Sequence, residues 1–134
     1  MTGRVRFVVE ILLAGWLMAA LYAAAASTFG PQSLVMLPYW LTALGDLVVG
    51  AWLALLIVDL RRTVIAVVAS TVVATVAYFG LLVSAAVGAP DYLTNLVNYA
   101  LPQTVPVLFL CLFLALVGGM VGTAINASAR GIEL

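Results

Sequence analysis

The sequence between residues 105 and 125 reads VPVLFLCLFLALVGGMVGTAI and contains no charged side chain. A run of about 20 apolar residues has the length that an α-helix needs to cross the hydrocarbon core of a bilayer. Similar apolar runs occupy residues 7–28, 39–60 and 64–87. None of them has the alternating pattern of a barrel strand. The chain is therefore predicted to be an all-α integral membrane protein, a bundle of four transmembrane helices.

The composition agrees with this class. Hydrophobic residues make up 66% of the chain and charged residues 7%, against about 45–50% and about 25% in soluble domains. Too little chain lies outside the four runs for a separate soluble domain, so residues 1–134 are interpreted as one transmembrane domain. The five basic and five acidic residues balance, which excludes the basic surface of a nucleic-acid binder. With no histidine and a single cysteine, no metal or other cofactor is identified.

The arginines predict the orientation in the membrane. Arg4 and Arg6 precede the first run, Arg61 and Arg62 separate the second from the third, and Arg130 follows the fourth. Short cytoplasmic loops carry an excess of basic residues, so both termini are expected in the cytoplasm, and the plasma membrane is the expected location. The first run could alternatively be a signal peptide, but it is longer than the 7–15 apolar residues that such a segment has.

A short interfacial helix is expected between the third and fourth membrane helices. Residues 91–101 place apolar side chains at helical spacing and polar ones on the other faces. Asp91 directly follows Pro90, which fits the N-cap of this helix.

Small residues predict how the helices pack. Lipid supplies no hydrophobic force between helices, so small residues at four-residue spacing, which let backbones approach, are the main packing signal. The strongest such segment contains Gly118, Gly119 and Gly122 on the fourth helix, and Gly50 lies on a similar stripe of the second. Contacts inside the bundle are the favoured interpretation, and an oligomer interface is the alternative.

Asp46 is the most informative polar residue. It lies seven residues into the second predicted helix, about 10 Å below its outer end. An ionisable group at such a depth costs several kcal/mol and suggests a functional site. Thr42 and Gly50, one turn away on either side, indicate that this face looks into the bundle. Asp46 is expected to be uncharged there.

Three residues on the other helices are expected at the depth of Asp46. Counting residues along each run brings Tyr22, Tyr78 and Cys111 to its level. Together with Thr42 they form a candidate proton or ligand site. In the alternative interpretation, a protonated Asp46 simply joins helices through a hydrogen bond. Cys111 has no basic neighbour in sequence, so an inert thiol is the simpler interpretation.

The remaining membrane-proximal carboxylates are predicted to form interfacial ion pairs. Glu10 follows Arg6 by four residues, one turn of a helix. Asp59 lies beside Arg61 and Arg62. Pairing at the inner interface explains both carboxylates without invoking chemistry.

The segment LGDLVVGAWLAL at residues 44–55, followed by the arginine pair, Tyr78 and the Leu101-Pro102 dipeptide, resembles the DoxX-like family of small four-helix membrane proteins. The resemblance covers the chain from the second helix onward. It implies that Asp46 and Gly50 match a family pattern in which a carboxylate opens helix 2 ahead of a glycine. It also implies an accessory role beside membrane oxidoreductases that pass electrons to quinone. The first helix lacks the lysine that commonly ends it in that family.

Three functions are compatible with these patterns. The first is a non-catalytic subunit or scaffold of a larger membrane assembly. The second is a small oligomeric proton-coupled transporter that uses Asp46. The third is a DoxX-like accessory protein that binds quinone or lipid, with an aromatic lining of Trp16, Tyr22, Trp52 and Tyr78. No catalytic triad or phosphate-binding loop occurs in the sequence, so an enzyme is not indicated. The expected partners are the lipid bilayer and either other membrane subunits or further copies of the chain.

Overall fold

The computed structural model describes residues 3–26, 39–57, 59–95, 97–98 and 101–131, and every regular element within these ranges is helical. The predicted all-α class is thus confirmed. The helices are α1 (Gly3–Ala26), α2 (Tyr39–Leu56), α3 (Leu60–Ala86), the short α4 (Pro90–Asn95) and α5 (Leu101–Arg130).

Three of these helices are long and apolar enough to cross a membrane. Their membrane-compatible parts are Gly3–Ala24, Leu60–Ser84 and Val105–Arg130. The apolar part of α2, Trp40–Leu56, is shorter. The whole of α2 has 18 residues, which cover about 27 Å at about 1.5 Å per residue. That length approaches the hydrocarbon thickness of about 30 Å. The chain therefore has the helices of a membrane protein.

The boundary between α2 and α3 differs from the predicted one. The second helix was expected to continue to about residue 60, but α2 ends at Leu56 and α3 already begins at Leu60. The cause is Asp59, whose backbone is extended and whose Oδ1 accepts a hydrogen bond from the Arg61 N–H at 3.0 Å. This N-cap satisfies a donor that the first turn of α3 would otherwise leave free, so a new helix starts here.

The helix α5 is longer than the predicted run at both ends. It begins at Leu101, with Pro102 in its first turn and Pro106 inside it. The N–H groups of the first turn have no partner within a helix, so Pro102 removes no hydrogen bond. The ring of Pro106 crowds the carbonyl four residues earlier, which also lies in the first turn. At the other end, Gly131 has a φ of +62° and donates its N–H to the Ser128 carbonyl at 3.3 Å. Glycine adopts this left-handed conformation without strain and ends the helix.

A short helix, α4, lies at the start of the segment where a helix was expected, and Val97 and Asn98 are also helical. The first turn of α4 is closed by the N–H groups of Tyr92 and Leu93, which bond to the Ala89 carbonyl at 3.1 and 3.2 Å. Ala89 is therefore the N-cap and Pro90 the first helical residue, so the prediction of Asp91 as the N-cap was wrong. Asp91 instead lies inside the first turn, where a negative charge favours the helix dipole.

The pair α1 and α3 packs in parallel. The Ser70 hydroxyl donates to the Ile11 carbonyl at 3.2 Å. One turn further along both helices, a β-carbon on Gly15 would lie 2.6 Å from a Val73 methyl group. Because positions rise together along the two helices, their N-termini lie at the same end.

The pair α2 and α5 is also parallel and makes the closest helix contact. Gly118 faces the Leu47 backbone, and Gly122 faces Ala51 one turn later. In contrast, α3 and α5 are antiparallel, because Gly119 of α5 contacts Thr63 near the start of α3. The N-termini of α1 and α3 and the C-terminus of α5 therefore share one end of the molecule.

The five arginines of the chain all lie at that end and are exposed there. We call it the arginine end. The opposite end carries the start of α2, the end of α3 and the short helix α4. Between the two ends, the core is built from apolar side chains of all four longer helices, with Met18, Leu53 and Val67 among the largest that are fully buried.

Candidate functional site

Asp46 lies on the inward face of α2 and is fully buried, with 0% of its surface exposed. Neither carboxyl oxygen has a hydrogen-bond partner among the described residues. Thr42, one turn earlier on the same face, is also buried and its hydroxyl is unpartnered in the same way. The carboxyl and the hydroxyl therefore lie in the packed interior without the hydrogen bonds that buried polar groups normally make.

Two other helices bring polar groups to Asp46. Tyr22 of α1 is 5% exposed, its hydroxyl is buried without a described partner, and it interacts electrostatically with Asp46. Cys111 of α5 is buried, and its side chain interacts with the Asp46 carboxyl. The site thus combines a carboxyl, two hydroxyls and a thiol from three helices.

Tyr78 of α3 completes the surroundings of the site. Its ring meets that of Tyr22 edge to face, with 6.3 Å between the ring centroids and 87° between the planes. The Tyr78 ring also contacts the Phe79 ring, with 5.4 Å between the centroids and 63° between the planes. Edge-to-face geometry of this kind is favourable for aromatic pairs. Of the three residues expected at the depth of Asp46, Tyr22 and Cys111 therefore lie beside it, and Tyr78 contacts Tyr22.

The contact between α2 and α5 holds Asp46 beside Cys111. Gly50 lies against the Ala115 backbone, and Gly118 lies against the Leu47 backbone. A β-carbon at Gly122 would approach the Ala51 carbonyl oxygen to 2.6 Å. Gly119 faces α3 instead, where a β-carbon would be 3.2 Å from the Thr63 methyl group.

Ser70 makes a polar contact between two helices that the sequence did not predict. Its hydroxyl makes the bond between α3 and α1 that fixes their register. The only signal was its place on a stripe with Ala66 and Ala74, all three fully buried. A serine on such a stripe can fill space or donate a hydrogen bond, and the sequence does not distinguish the two.

The hypothesis of an aromatic lining is wrong for its two tryptophans. Trp16 is 60% exposed and Trp52 39% exposed, so both point away from the interior. Their bulk explains this placement, because the interior faces of α1 and α2 at these levels are occupied by close packing of Gly15 and Gly50. Only Tyr22 and Tyr78 of the four aromatic residues face the site.

The predicted ion-pair residues lie near the arginine end, away from Asp46. The Arg6 Nε donates to the Glu10 Oε1 at 2.8 Å across one helical turn. The Arg62 Nε lies 3.9 Å from the Asp59 Oδ2, a looser contact that adds to the role of Asp59 as the N-cap of α3. Exposed pairs of this kind contribute at most about 1 kcal/mol each.

Among the residues that the structure describes, no group of three or more histidine, cysteine, aspartate or glutamate side chains is placed to hold a metal ion. No known protein family, curated protein or solved structure matches the chain. In chemical terms the Asp46 cluster can hold a proton and exchange hydrogen bonds.

Proposed function

We propose that the chain is a non-catalytic, multi-pass subunit or scaffold of a larger membrane assembly, located in the plasma membrane. The observation that carries this proposal is the distribution of side chains between the inside and the outside. Each longer helix turns bulky apolar side chains outward, and Leu13, Val48, Val76 and Phe109 are 57–68% exposed. The polar cluster around Asp46 is enclosed. The surface offered to other molecules is thus a membrane-embedded helix surface.

A four-span bundle with both termini in the cytoplasm fits the packing. Since α1 and α3 are parallel, the segment between them has to cross the membrane once, and α2 is the helix available for it. The arginine end gathers Arg4, Arg6, Arg61, Arg62 and Arg130, and basic residues favour the cytoplasmic side. The arginine end is therefore assigned to the cytoplasm, with α4 outside.

The enclosure of Asp46 favours a subunit over a small transporter. α2 is an uninterrupted helix from Tyr39 to Leu56, whereas transport sites in membrane proteins are commonly built where a helix is broken. An apolar groove exists on α3 beside Leu112 and is lined by Val68, Val72 and Val76. Asp46 does not line this groove.

Gentle extraction of the tagged chain from its native membrane tests the proposal. We expect one or more membrane proteins to accompany it at fixed stoichiometry. Gly80→Ala, at an exposed position where a β-carbon meets nothing within 4 Å, should retain them. Gly118→Leu, which disrupts the contact between α2 and α5, should lose them. A chain that elutes alone in mild detergent, as a stable monomer without co-purifying proteins, contradicts the subunit role.

A DoxX-like accessory role beside a quinone-linked oxidoreductase is the second candidate. It is favoured by the placement of Asp46 and Gly50, the two residues that carry the resemblance, on the inward face of α2. The identity of the co-purifying proteins tests it. This role predicts oxidoreductase subunits and extractable quinone or lipid in the purified complex. Partners without redox cofactors would refute it while leaving the subunit role intact.

A further inference from the structure

The first turns of α1 and α3 carry arginines where a helix favours negative charge. Arg4 lies in the first turn of α1, and Arg61 and Arg62 lie in the first turn of α3. The N-terminal end of a helix carries a partial positive charge, so it repels cations. Neither first turn contains an acidic side chain. Arg130, in the last turn of α5, has the favourable placement for a cation. The helix dipole therefore explains Arg130 but not the arginines of α1 and α3.

Arg4 and Arg62 lie opposite each other across the contact between α1 and α3. The two parallel helices meet where Gly15 faces the Val73 side chain. Arg4 precedes Gly15 by eleven residues, and Arg62 precedes Val73 by the same number. Eleven residues are about three helical turns, so each arginine lies on the side of its helix that faces the other helix. Both residues are exposed in the first turns of their helices.

The carboxylates near this arginine pair do not neutralise it. Among the described residues at the arginine end, only Glu10 and Asp59 are acidic, against five arginines. Glu10 is paired with Arg6. Asp59 caps α3 through one oxygen and lies 3.9 Å from Arg62 through the other. Arg4 has no ion pair in the part of the chain that the structure describes. The arginine pair thus retains excess positive charge.

We propose that Arg4 and Arg62 bind the phosphate group of an anionic phospholipid at the membrane surface, between the first turns of α1 and α3. A phosphate group offers several acceptor oxygens that two guanidinium groups can share, and arginine binds phosphate through paired hydrogen bonds. The negative charge also complements the N-terminal ends of both helices. This inference goes beyond the subunit role and does not depend on it. It requires only that α1 and α3 cross a membrane.

The apolar surface next to the arginine pair favours a lipid over a soluble anion. Val8 lies one turn deeper than Arg4 and is 53% exposed, and Leu12 follows one turn later at 45%. On α3, Ile65 lies three residues after Arg62 and is 50% exposed. A phospholipid held by its phosphate can place an acyl chain along these side chains. Its two parts then contact one continuous surface, which a soluble anion cannot do.

Arg130 provides a matched control at the same end of the molecule. Gly119 of α5 lies at the level of Thr63 of α3. Arg130 is eleven residues further along α5, or about 16 Å. Because α5 is antiparallel to α3, this distance carries Arg130 outward, beyond the first turn of α3. Replacing Arg130 therefore removes the same charge without changing the arginine pair.

Native mass spectrometry of the full chain in neutral detergent tests the site, because it resolves the first bound lipid. We expect phosphatidylglycerol to bind more tightly than phosphatidylcholine, whose choline cation offsets the phosphate charge. Arg4→Gln and Arg62→Gln should each weaken phosphatidylglycerol binding by about two- to fivefold, the contribution of one arginine near an anionic lipid surface. Arg130→Gln should leave it unchanged. Equal binding of both lipids by the wild-type chain, or an equal loss in all three variants, overturns the site.

Two further measurements on the wild-type chain separate the alternatives and need no folded variant. Higher ionic strength should weaken the binding of phosphatidylglycerol and leave that of phosphatidylcholine unchanged, since salt screens exposed charges. A preference for phosphatidylglycerol that does not depend on salt contradicts the role of the arginines. Inorganic phosphate at the same concentration as the lipid should not displace it. Displacement would assign the site to a soluble anion and refute the lipid.

Discussion

Asp46 is the fully buried carboxyl of α2, with Thr42 and Gly50 one turn away on either side. Its depth along α2, and the small or polar character of Thr42 and Gly50, indicated an inward orientation. In the structure, both carboxyl oxygens lack a hydrogen-bond partner among the described residues. This could not be predicted, because it depends on the positions of the surrounding side chains. The same counting of depth brought Tyr22 and Cys111 to the cluster.

Replacing Asp46 tests whether its hydrogen-bonding capacity stabilises the fold. Asp46→Asn keeps donors and acceptors without requiring a proton, so we expect stability close to wild type. Asp46→Leu should lose roughly 1–2 kcal/mol, the range found for polar contacts between membrane helices. Reversible unfolding in mixed detergent measures both. Greater stability of Asp46→Leu than of wild type would show that the buried carboxyl makes no favourable contact in the fold.

Asp59 was predicted as an ion-pair residue, but its main contact is the N-cap of α3. The chain carries an acceptor side chain directly before an apolar run, which is the usual signal for an N-cap. The neighbouring arginines offered a competing explanation. The distances distinguish the two, because the cap bond is 3.0 Å and the contact with Arg62 is 3.9 Å.

We predict that Asp59→Ala destabilises the fold by about 1 kcal/mol, the usual cost of losing an N-cap. Asp59→Asn should retain most of this stability, since asparagine also caps helices but carries no charge. Equal destabilisation by both substitutions would assign the effect to the ion pair instead. Thermal unfolding of the two variants in the same detergent provides the comparison.

At the scale of helices, the existence of each long helix was predictable but its partner was not. Stripes of small residues occur on every longer helix, so the sequence alone allows several pairings. Contacts such as the hydrogen bond from Ser70 to the Ile11 carbonyl make α3 the packing partner of α1. Two helices begin earlier than the apolar pattern predicted. The start of α3 is set by the N-cap at Asp59, and α5 begins earlier because prolines fit into its first turn.

The glycine contacts between α2 and α5 lead to a matched prediction. Gly118→Ala places a methyl group against the Leu47 backbone, which cannot move without separating the helices. We expect a loss of about 1–3 kcal/mol from overpacking. Gly80→Ala, in open space on α3, should be neutral or stabilising by up to about 1 kcal/mol, because alanine favours a helix over glycine. A similar effect of both substitutions would contradict the close contact.

At the scale of the whole molecule, charge and helix direction agree. Parallel packing of α1 with α3 and antiparallel packing of α3 with α5 bring all five arginines of the chain to one end. The sequence predicted the same grouping from the order of the runs alone. Contacts inside the bundle produce the same grouping. The four-span topology additionally requires the shorter helix α2 to cross the membrane.

Accessibility of single cysteines to a membrane-impermeant thiol reagent in intact cells tests this central claim most directly. In a Cys111→Ser background, Thr94→Cys lies on α4, while Leu60→Cys and Ser128→Cys lie at the arginine end, all at exposed positions. We predict that the cysteine at 94 reacts from outside and that those at 60 and 128 react only after the membrane is permeabilised. Reaction of the cysteine at 60 from outside would show that α2 does not cross the membrane and would contradict the four-span account.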